Sequence, residues 1–171
     1  MFAESCFVLV RADDVYRRIE DIGVGDYVFD PLAQTYCRIV DAVSRVVSFG
    51  SIDNVSQDPL YPVKLDVNAF GAERIGRSVL VSPSQGVLLR REVAFEREQP
   101  SLEYVTAREL LKTSSCATQP KLNSVRYFAL FTQHEQTLNI SGFLMPTFFV
   151  SGYRSDRGRE GNSSNFDAAR R

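Results

Sequence analysis

Tryptophan is absent from this chain of 171 residues, histidine occurs once and cysteine three times, and these scarcities exclude several chemistries before any motif is sought. With His134 the only histidine, an imidazole proton shuttle near neutral pH has a single possible carrier. Cys6, Cys37 and Cys116 are widely separated and form no CxxC pair, which argues against a disulfide framework and a structural zinc site. Their odd number leaves at least one thiol free or paired between chains. One histidine and scattered thiols also make a poor transition-metal shell, so neither a metal nor another cofactor is expected. Positive charge is not in excess: 20 basic and 21 acidic side chains give a formal net charge of -1. A nucleic-acid partner, which needs clustered Lys and Arg, is therefore not expected. Long apolar runs are missing too. The longest near the start, Phe7–Val10, is too short for a signal-peptide core or a membrane span, and no basic segment precedes it. The chain as it stands reads as soluble, with no membrane partner, and points to no particular compartment or oligomeric state.

What is present suits one β-rich domain. Hydrophobic residues make up 44% of the chain, enough to bury a core at this length. Short segments rich in aromatic and β-branched residues are interrupted by turn residues, which favours strands over long amphipathic helices. Expected strands are Phe7–Val10, Tyr27–Phe29, Tyr36–Val47, Tyr61–Val67, Val79–Val81, Gly86–Arg90, Tyr104–Val105, Val125–Phe131, Gln136–Ile140 and Thr147–Phe149. Gly23 and Gly25 with Asp26 suit a sharp turn into a strand. One short helix is expected over Thr106–Lys112, where Thr106 can cap and Glu109, three residues on, can complete a capping box. The domain should span residues 1–153. From Arg154 to Arg171 the composition turns to Arg, Ser, Gly, Asn and Asp with one aromatic, Phe166, and a flexible tail is expected.

The segment Val79–Leu89, VLVSPSQGVLL, carries the most functional information. Ser82, Pro83 and the run Val87-Leu88-Leu89 fit a pattern LSPQHRVLL in which Gln85 stands where a histidine belongs. Other fragments follow in order. Cys6-Phe7 matches an opening CF, and Glu20-Asp21-Ile22 through Gly25-Asp26-Tyr27-Val28 matches VEDLxxGDxV. Pro62–Leu65 and Ala69-Phe70-Gly71 match PVRI and ALG, and Ala107–Leu111 matches PARLL. Tyr127–Glu135, YFALFTQHE, matches YFHLLFDRHE, while Ser141–Phe149 matches EGLPTESF. This ordered set resembles the Hint superfamily of hedgehog and intein autoprocessing domains, in its bacterial Hint-domain branch. The resemblance implies an all-β fold of many short, curled antiparallel strands with one short helix.

It also implies a reaction. In the family the opening cysteine attacks the preceding carbonyl and converts a peptide bond into a thioester by an N-to-S acyl shift. The partner would be the upstream segment of the same polypeptide, cut at Ser5-Cys6. Cys6 would be the nucleophile, Ser82 and Gln85 would position the carbonyl, and His134 would carry the proton. Thr132 stands where the pattern has the aspartate of DRH. Such a step needs a thiolate, a stabilised oxyanion and a proton for the leaving nitrogen. Gln85 can hydrogen-bond but has no useful ionisation, and loss of a general acid removes about 10²- to 10⁴-fold in rate. The Gly-Thr of the CFxxGT opening is also missing after Cys6. With no His-Asn before Cys, Ser or Thr near the end, full splicing is not expected.

Plainer readings stand beside these. Cys6 is equally a small buried hydrophobe, Ser82 a turn-capping hydroxyl and His134 a solvent-exposed loop residue. A non-catalytic interaction module that retains the fold, and more remotely a cysteine hydrolase using Cys6 and His134, are the alternatives to a self-cleaving domain. The triplets at Asn54, Asn139 and Asn162 fit a glycosylation pattern without a secretory signal. The charged stretch from Arg90 to Glu98 reads as a solvated loop, and the cluster Phe143, Phe148, Phe149 and Tyr153 as core.

Overall fold

The computed structural model describes residues 1–50, 59–66, 78–90 and 102–149. Outside them lie Val67, the Ala69-Phe70-Gly71 fragment, the charged residues 91–98, Tyr153, the triplets at Asn54 and Asn162, and the expected tail from Arg154 to Arg171.

In chain order the strands are β1 (Phe2–Ala3), β2 (Phe7–Arg11), β3 (Val15–Arg18), β4 (Tyr27–Asp30), β5 (Thr35–Ser48), β6 (Val63–Leu65), β7 (Val79–Val81), β8 (Gly86–Arg90), β9 (Leu102–Thr106), β10 (Ala117–Thr118), β11 (Ser124–Thr132), β12 (Thr137–Ile140), β13 (Phe143–Pro146) and β14 (Phe148–Phe149). One helix, α1 (Ala107–Thr113), and a single 3-10 turn at Ile19–Asp21 complete the described elements. Among the described residues the strands form two sheets. One runs β10-β6-β7-β1-β11-β5-β4 with β14 also on β11, and the other β3-β2-β12-β13-β8-β9. Every pairing is antiparallel except that of β14 with β11. The expected all-β fold of short antiparallel strands with one short helix is what the chain adopts.

Local chemistry explains several boundaries. Gly25, at φ +95°, takes a conformation a side chain would oppose, and its N–H reaches the carbonyl of Ile39 at 2.8 Å. This turn leads into β4. In α1 the capping box closes as expected: Thr106 Oγ1 accepts from the Glu109 N–H at 3.3 Å, and Glu109 Oε2 accepts from the Thr106 N–H at 2.8 Å. The Thr106 N–H and then its hydroxyl, both donating to Glu109 Oε2, hold the Glu109 carboxyl below its usual range. Asp30, 3% exposed, accepts from the N–H groups of Leu32 and Ala33 in the β4–β5 turn and of Thr137 at the start of β12. Its carboxylate thus ties the two sheets together.

The core draws on both sheets. Phe2, Val8, Ile39, Leu65, Leu130, Leu138, Ile140 and Met145 are essentially sealed from solvent, each contributing about 1.5–3 kcal/mol on burial. Phe143 joins them, while half-buried Phe148 packs against Phe131 with ring centroids 5.6 Å apart.

The arrangement around β11 positions the candidate site. One edge of β11 is filled by β5, from Ser124↔Ser48 to Thr132↔Ile39, with an irregularity between Phe131 and Thr132 that re-aims the end of the strand. Along its other edge lie first β1, at Phe2↔Phe128 and Ala3↔Tyr127, and then β14, at Phe131↔Phe148 and Thr132↔Phe149. Because β1 is antiparallel to β11 and β14 parallel, Met1 and Thr147 approach each other end to end in one lane.

Candidate functional site

At that meeting point stands the turn Ser82–Gln85, between β7 and β8. The Gln85 N–H donates to the Ser82 carbonyl at 2.9 Å, and the first two N–H groups of α1, from Ala107 and Arg108, donate to the carbonyls of Gln85 and Pro83 at 2.9 Å each. A helix start whose orphan donors need partners therefore fixes the turn from behind. At Gly86 a Cβ would meet the outer end of the Tyr104 ring.

Ser82 and Gln85 are both buried, and both face residue 1. The nitrogen of Met1 donates to Ser82 Oγ at 3.1 Å and to Gln85 Oε1 at 2.5 Å. The Met1 carbonyl accepts from the Ser82 N–H at 2.9 Å. Gln85 Nε2 points the other way, donating to the carbonyls of Gly86 and Pro146 at 3.2 Å each. One carboxamide thus bridges the start of β1 and the end of β13. Burial drives the Met1 α-amine down from 8.0 to about 4, an effect that the nearby Cys6 only partly opposes.

Cys6 lies beside this group but outside its hydrogen bonds. Its Sγ donates to the Leu80 carbonyl at 3.7 Å, and burial pushes the thiol up from 9.0 to about 12. Hydrogen bonding to Leu80 and Ala3 and the Met1 amine pull the thiol down, while Glu20 pushes it further up. At neutral pH it is a thiol, not the thiolate that attacks carbonyls. All three cysteines are free. The Ser5-Cys6 bond sits in the turn between β1 and β2, where Ser5 is exposed, adopts φ 68° and donates its N–H to Glu20 Oε2 at 3.0 Å.

Thr132 is at the far side of the bridge. Its buried hydroxyl donates to the His134 carbonyl at 2.7 Å and lies 2.8 Å from the Thr147 hydroxyl. Thr147 in turn engages the backbone of Gln136. His134 enters the network through its carbonyl. Its side chain is exposed and hydrogen-bonds none of Cys6, Ser82, Gln85 or Thr132.

The structure thus brings Ser82 and Gln85 together on Met1, sets Cys6 alongside and Thr132 behind, and leaves the His134 imidazole in solvent. Met1, Pro146 and Thr147 were not among the expected site residues. A signal for Met1 was present: Met1-Phe2-Ala3-Glu4-Ser5-Cys6 also aligns with CFxxGT, with Phe2 on the phenylalanine. Among the described residues no group of His, Cys, Asp and Glu could hold a metal ion, and no helix is long and apolar enough to cross a membrane. Chemically, the site can grip a nitrogen and a carbonyl on residue 1. Its hydroxyls and carboxamide hydrogen-bond but do not ionise at neutral pH.

A family model described as Hint domain matches residues 2–152. Among solved structures the chain is similar to the MchDnaB-1 intein at 14% identity, over 86% of this chain and 99% of that one, with TM-score 0.47. It is also similar to the Msm DnaB1 intein splicing domain bound with zinc, at 11% identity, 86% and 99% coverage and TM-score 0.46. The bacterial intein-like domain from Clostridium thermocellum is similar at 12% identity, 84% and 95% coverage and TM-score 0.43. No curated protein matches.

Proposed function

The chain belongs to the Hint-domain family, and from that premise we propose that it is a non-catalytic Hint module, which holds its own polypeptide at residue 1 without cutting it. The observation that carries this reading is the seat of the Met1 nitrogen on Ser82 and Gln85, where the family's reaction would break a bond. Read against CFxxGT from residue 1, Met1 takes the cysteine's place, and the family match beginning at residue 2 agrees with that register. A thioether has no thiol to acylate. Gln85 has no proton to give a departing nitrogen, and Thr132 offers a hydroxyl where a carboxylate belongs. The partner in this reading is the polypeptide's own first strand, clasped between Ser82 and Pro146.

Self-cleavage through Cys6 is the competing reading, favoured by the position of its thiol beside the Met1 nitrogen and the strand leading to Ser82. In that reaction Sγ bonds to the Ser5 carbonyl carbon, the Ser5-Cys6 C–N bond breaks, and the thiol proton ends on the freed nitrogen. The protonated thiol and the exposed scissile turn speak against it.

A reporter domain fused ahead of Met1 separates the two by intact mass, with and without thiol or hydroxylamine. An unchanged mass over days is expected. Release carrying Met1–Ser5 on the reporter, abolished in Cys6→Ala, establishes the competing reading. Release immediately before Met1 overturns the holding module.

A further inference from the structure

We infer that Thr147 is a plug in the lane beside β11, and that it turns any polypeptide preceding residue 1 out of the sheet at Met1. The inference rests on the holding role of the junction and names the positioning residue that sets the path of the held chain.

Register carries it. β1 runs antiparallel to β11 with Phe2 opposite Phe128 and Ala3 opposite Tyr127. Continued backwards, that strand sets Met1 opposite Ala129, the residue ahead of Met1 opposite Leu130 and the next opposite Phe131. β14 runs parallel to β11 in the same lane, with Phe148 opposite Phe131 and Phe149 opposite Thr132. Counting back from Phe148 sets Thr147 opposite Leu130. Thr147 and the residue ahead of Met1 therefore claim one place along β11, and only one of them can hold it.

Hydrogen bonding decides which one does. Thr147 is 7% exposed, and its N–H donates to the Gln136 carbonyl at 2.8 Å. Its hydroxyl accepts from the Gln136 N–H at 3.2 Å and lies 2.8 Å from the Thr132 hydroxyl, which in turn donates to the His134 carbonyl at 2.7 Å. Withdrawing Thr147 from the lane leaves several of these groups without partners in a poorly hydrated setting, which is costly. A preceding residue would gain only the ladder bonds that β14 gives up, so Thr147 keeps the place. The β7 side of the path is closed as well, by the Gln85 carboxamide that spans from the Met1 nitrogen to the Pro146 carbonyl. With both flanks taken, the chain leaves the plane of the sheet at residue 1.

The test uses the full chain carrying a short uncharged extension ahead of Met1, with amide exchange followed in the extension and at Phe148–Phe149. In the unaltered sequence the extension is expected to exchange at the rate of an unstructured peptide. Thr147→Val keeps the bulk and removes the hydroxyl. It should speed exchange at Phe148–Phe149 about 10-fold and slow it about 10-fold at the two amides ahead of Met1, as the extension takes the vacated lane. Thr147→Ser, which retains the hydroxyl, should match the unaltered chain. Protection of the extension in the unaltered chain overturns the inference. So does a Thr147→Val variant in which β14 loosens with no gain ahead of Met1, or a Thr147→Ser variant that behaves like it, because Thr147 then only packs. Exchange at Leu138–Ile140 shows whether the variant is folded; if it is not, Phe148→Gly, which loosens β14 by removing its ring, is read by the same criteria. Self-cleavage, seen by intact mass, overturns the holding module instead, and exchange read before the cut then decides the plug by itself.

Discussion

Gln85 Oε1 lies 2.5 Å from the nitrogen of Met1, while the other end of the same carboxamide reaches the Pro146 carbonyl. Residues far apart in sequence are thereby joined through one side chain. Gln85→Ala removes the bridge and leaves both partners short of a hydrogen bond in a part-buried setting. Each such loss costs about 1–3 kcal/mol, so a destabilisation of about 2 kcal/mol or more is expected. It should appear as a lower urea midpoint at unchanged slope. A midpoint equal to that of the unaltered chain shows that the bridge does not contribute.

Stability should have a narrow optimum in pH. The Met1 amine falls from 8.0 in the unfolded chain to about 4 in the fold. Between those values the unfolded chain binds a proton that the folded chain does not, so this contribution is lost as pH falls from 8 towards 4. The thiols act oppositely. Cys6 rises from 9.0 to about 12 and Cys37 from 9.0 to about 11, both through burial, with Asp30 adding to the rise at Cys37. Above pH 9 the unfolded chain releases thiol protons that the fold retains, and stability falls. Urea midpoints from pH 5 to 11 should therefore peak between pH 8 and 9, with a shallower alkaline decline in Cys6→Ala. A midpoint that climbs from pH 9 to 11 contradicts the burial of these thiols.

Much of the fold was legible where the determining chemistry is local. The capping pair Thr106 and Glu109 announces α1, and β7 and β8 are bounded by turn residues that the eye finds at once. By contrast β1 has two residues and β10 two, too few to alternate, and they exist because long-range partners hold them. In β3, Val15 and the arginines are exposed, so no buried face marks it. Around residue 1, Ser82 and Gln85 stand out as a pair in the sequence because a motif names both, and the fold brings both onto the Met1 nitrogen. Met1 does not stand out, since a search for a nucleophile passes over methionine and stops at Cys6. His134 stands apart: the fold uses its carbonyl, which any residue supplies, and leaves its side chain exposed.

The three free thiols should react in sequence. Cys116 is half-buried, whereas Cys6 and Cys37 are buried with their ionisation suppressed. A thiol-exchange reagent at pH 8 is expected to titrate Cys116 first, with Cys6 and Cys37 following only as the domain opens. Peptide mapping of the first-labelled site checks the order. Prompt labelling of Cys6 places its thiolate within reach of solvent and revives the self-cleavage reading.

Restoring the missing groups should restore the reaction. If the junction keeps the family's geometry and lacks only its chemistry, Met1→Cys supplies the nucleophile where the nitrogen is already seated. Gln85→His supplies a proton carrier opposite that nitrogen, and Thr132→Asp returns a carboxylate beyond Pro146 and Thr147. General acid or base catalysis by a positioned group is worth about 10²- to 10⁴-fold, so the substitutions are expected to act together. In a reporter fusion, Met1→Cys alone should accumulate little thiol-released product. The triple variant should release the reporter immediately before residue 1 at a rate at least ~100-fold higher. Intact mass locates the cut, and circular dichroism establishes that the variant is folded. A folded triple variant that stays uncut under thiol means that the clasp around residue 1 has moved away from a reactive geometry, and the holding role is then built into the backbone and not only into three side chains.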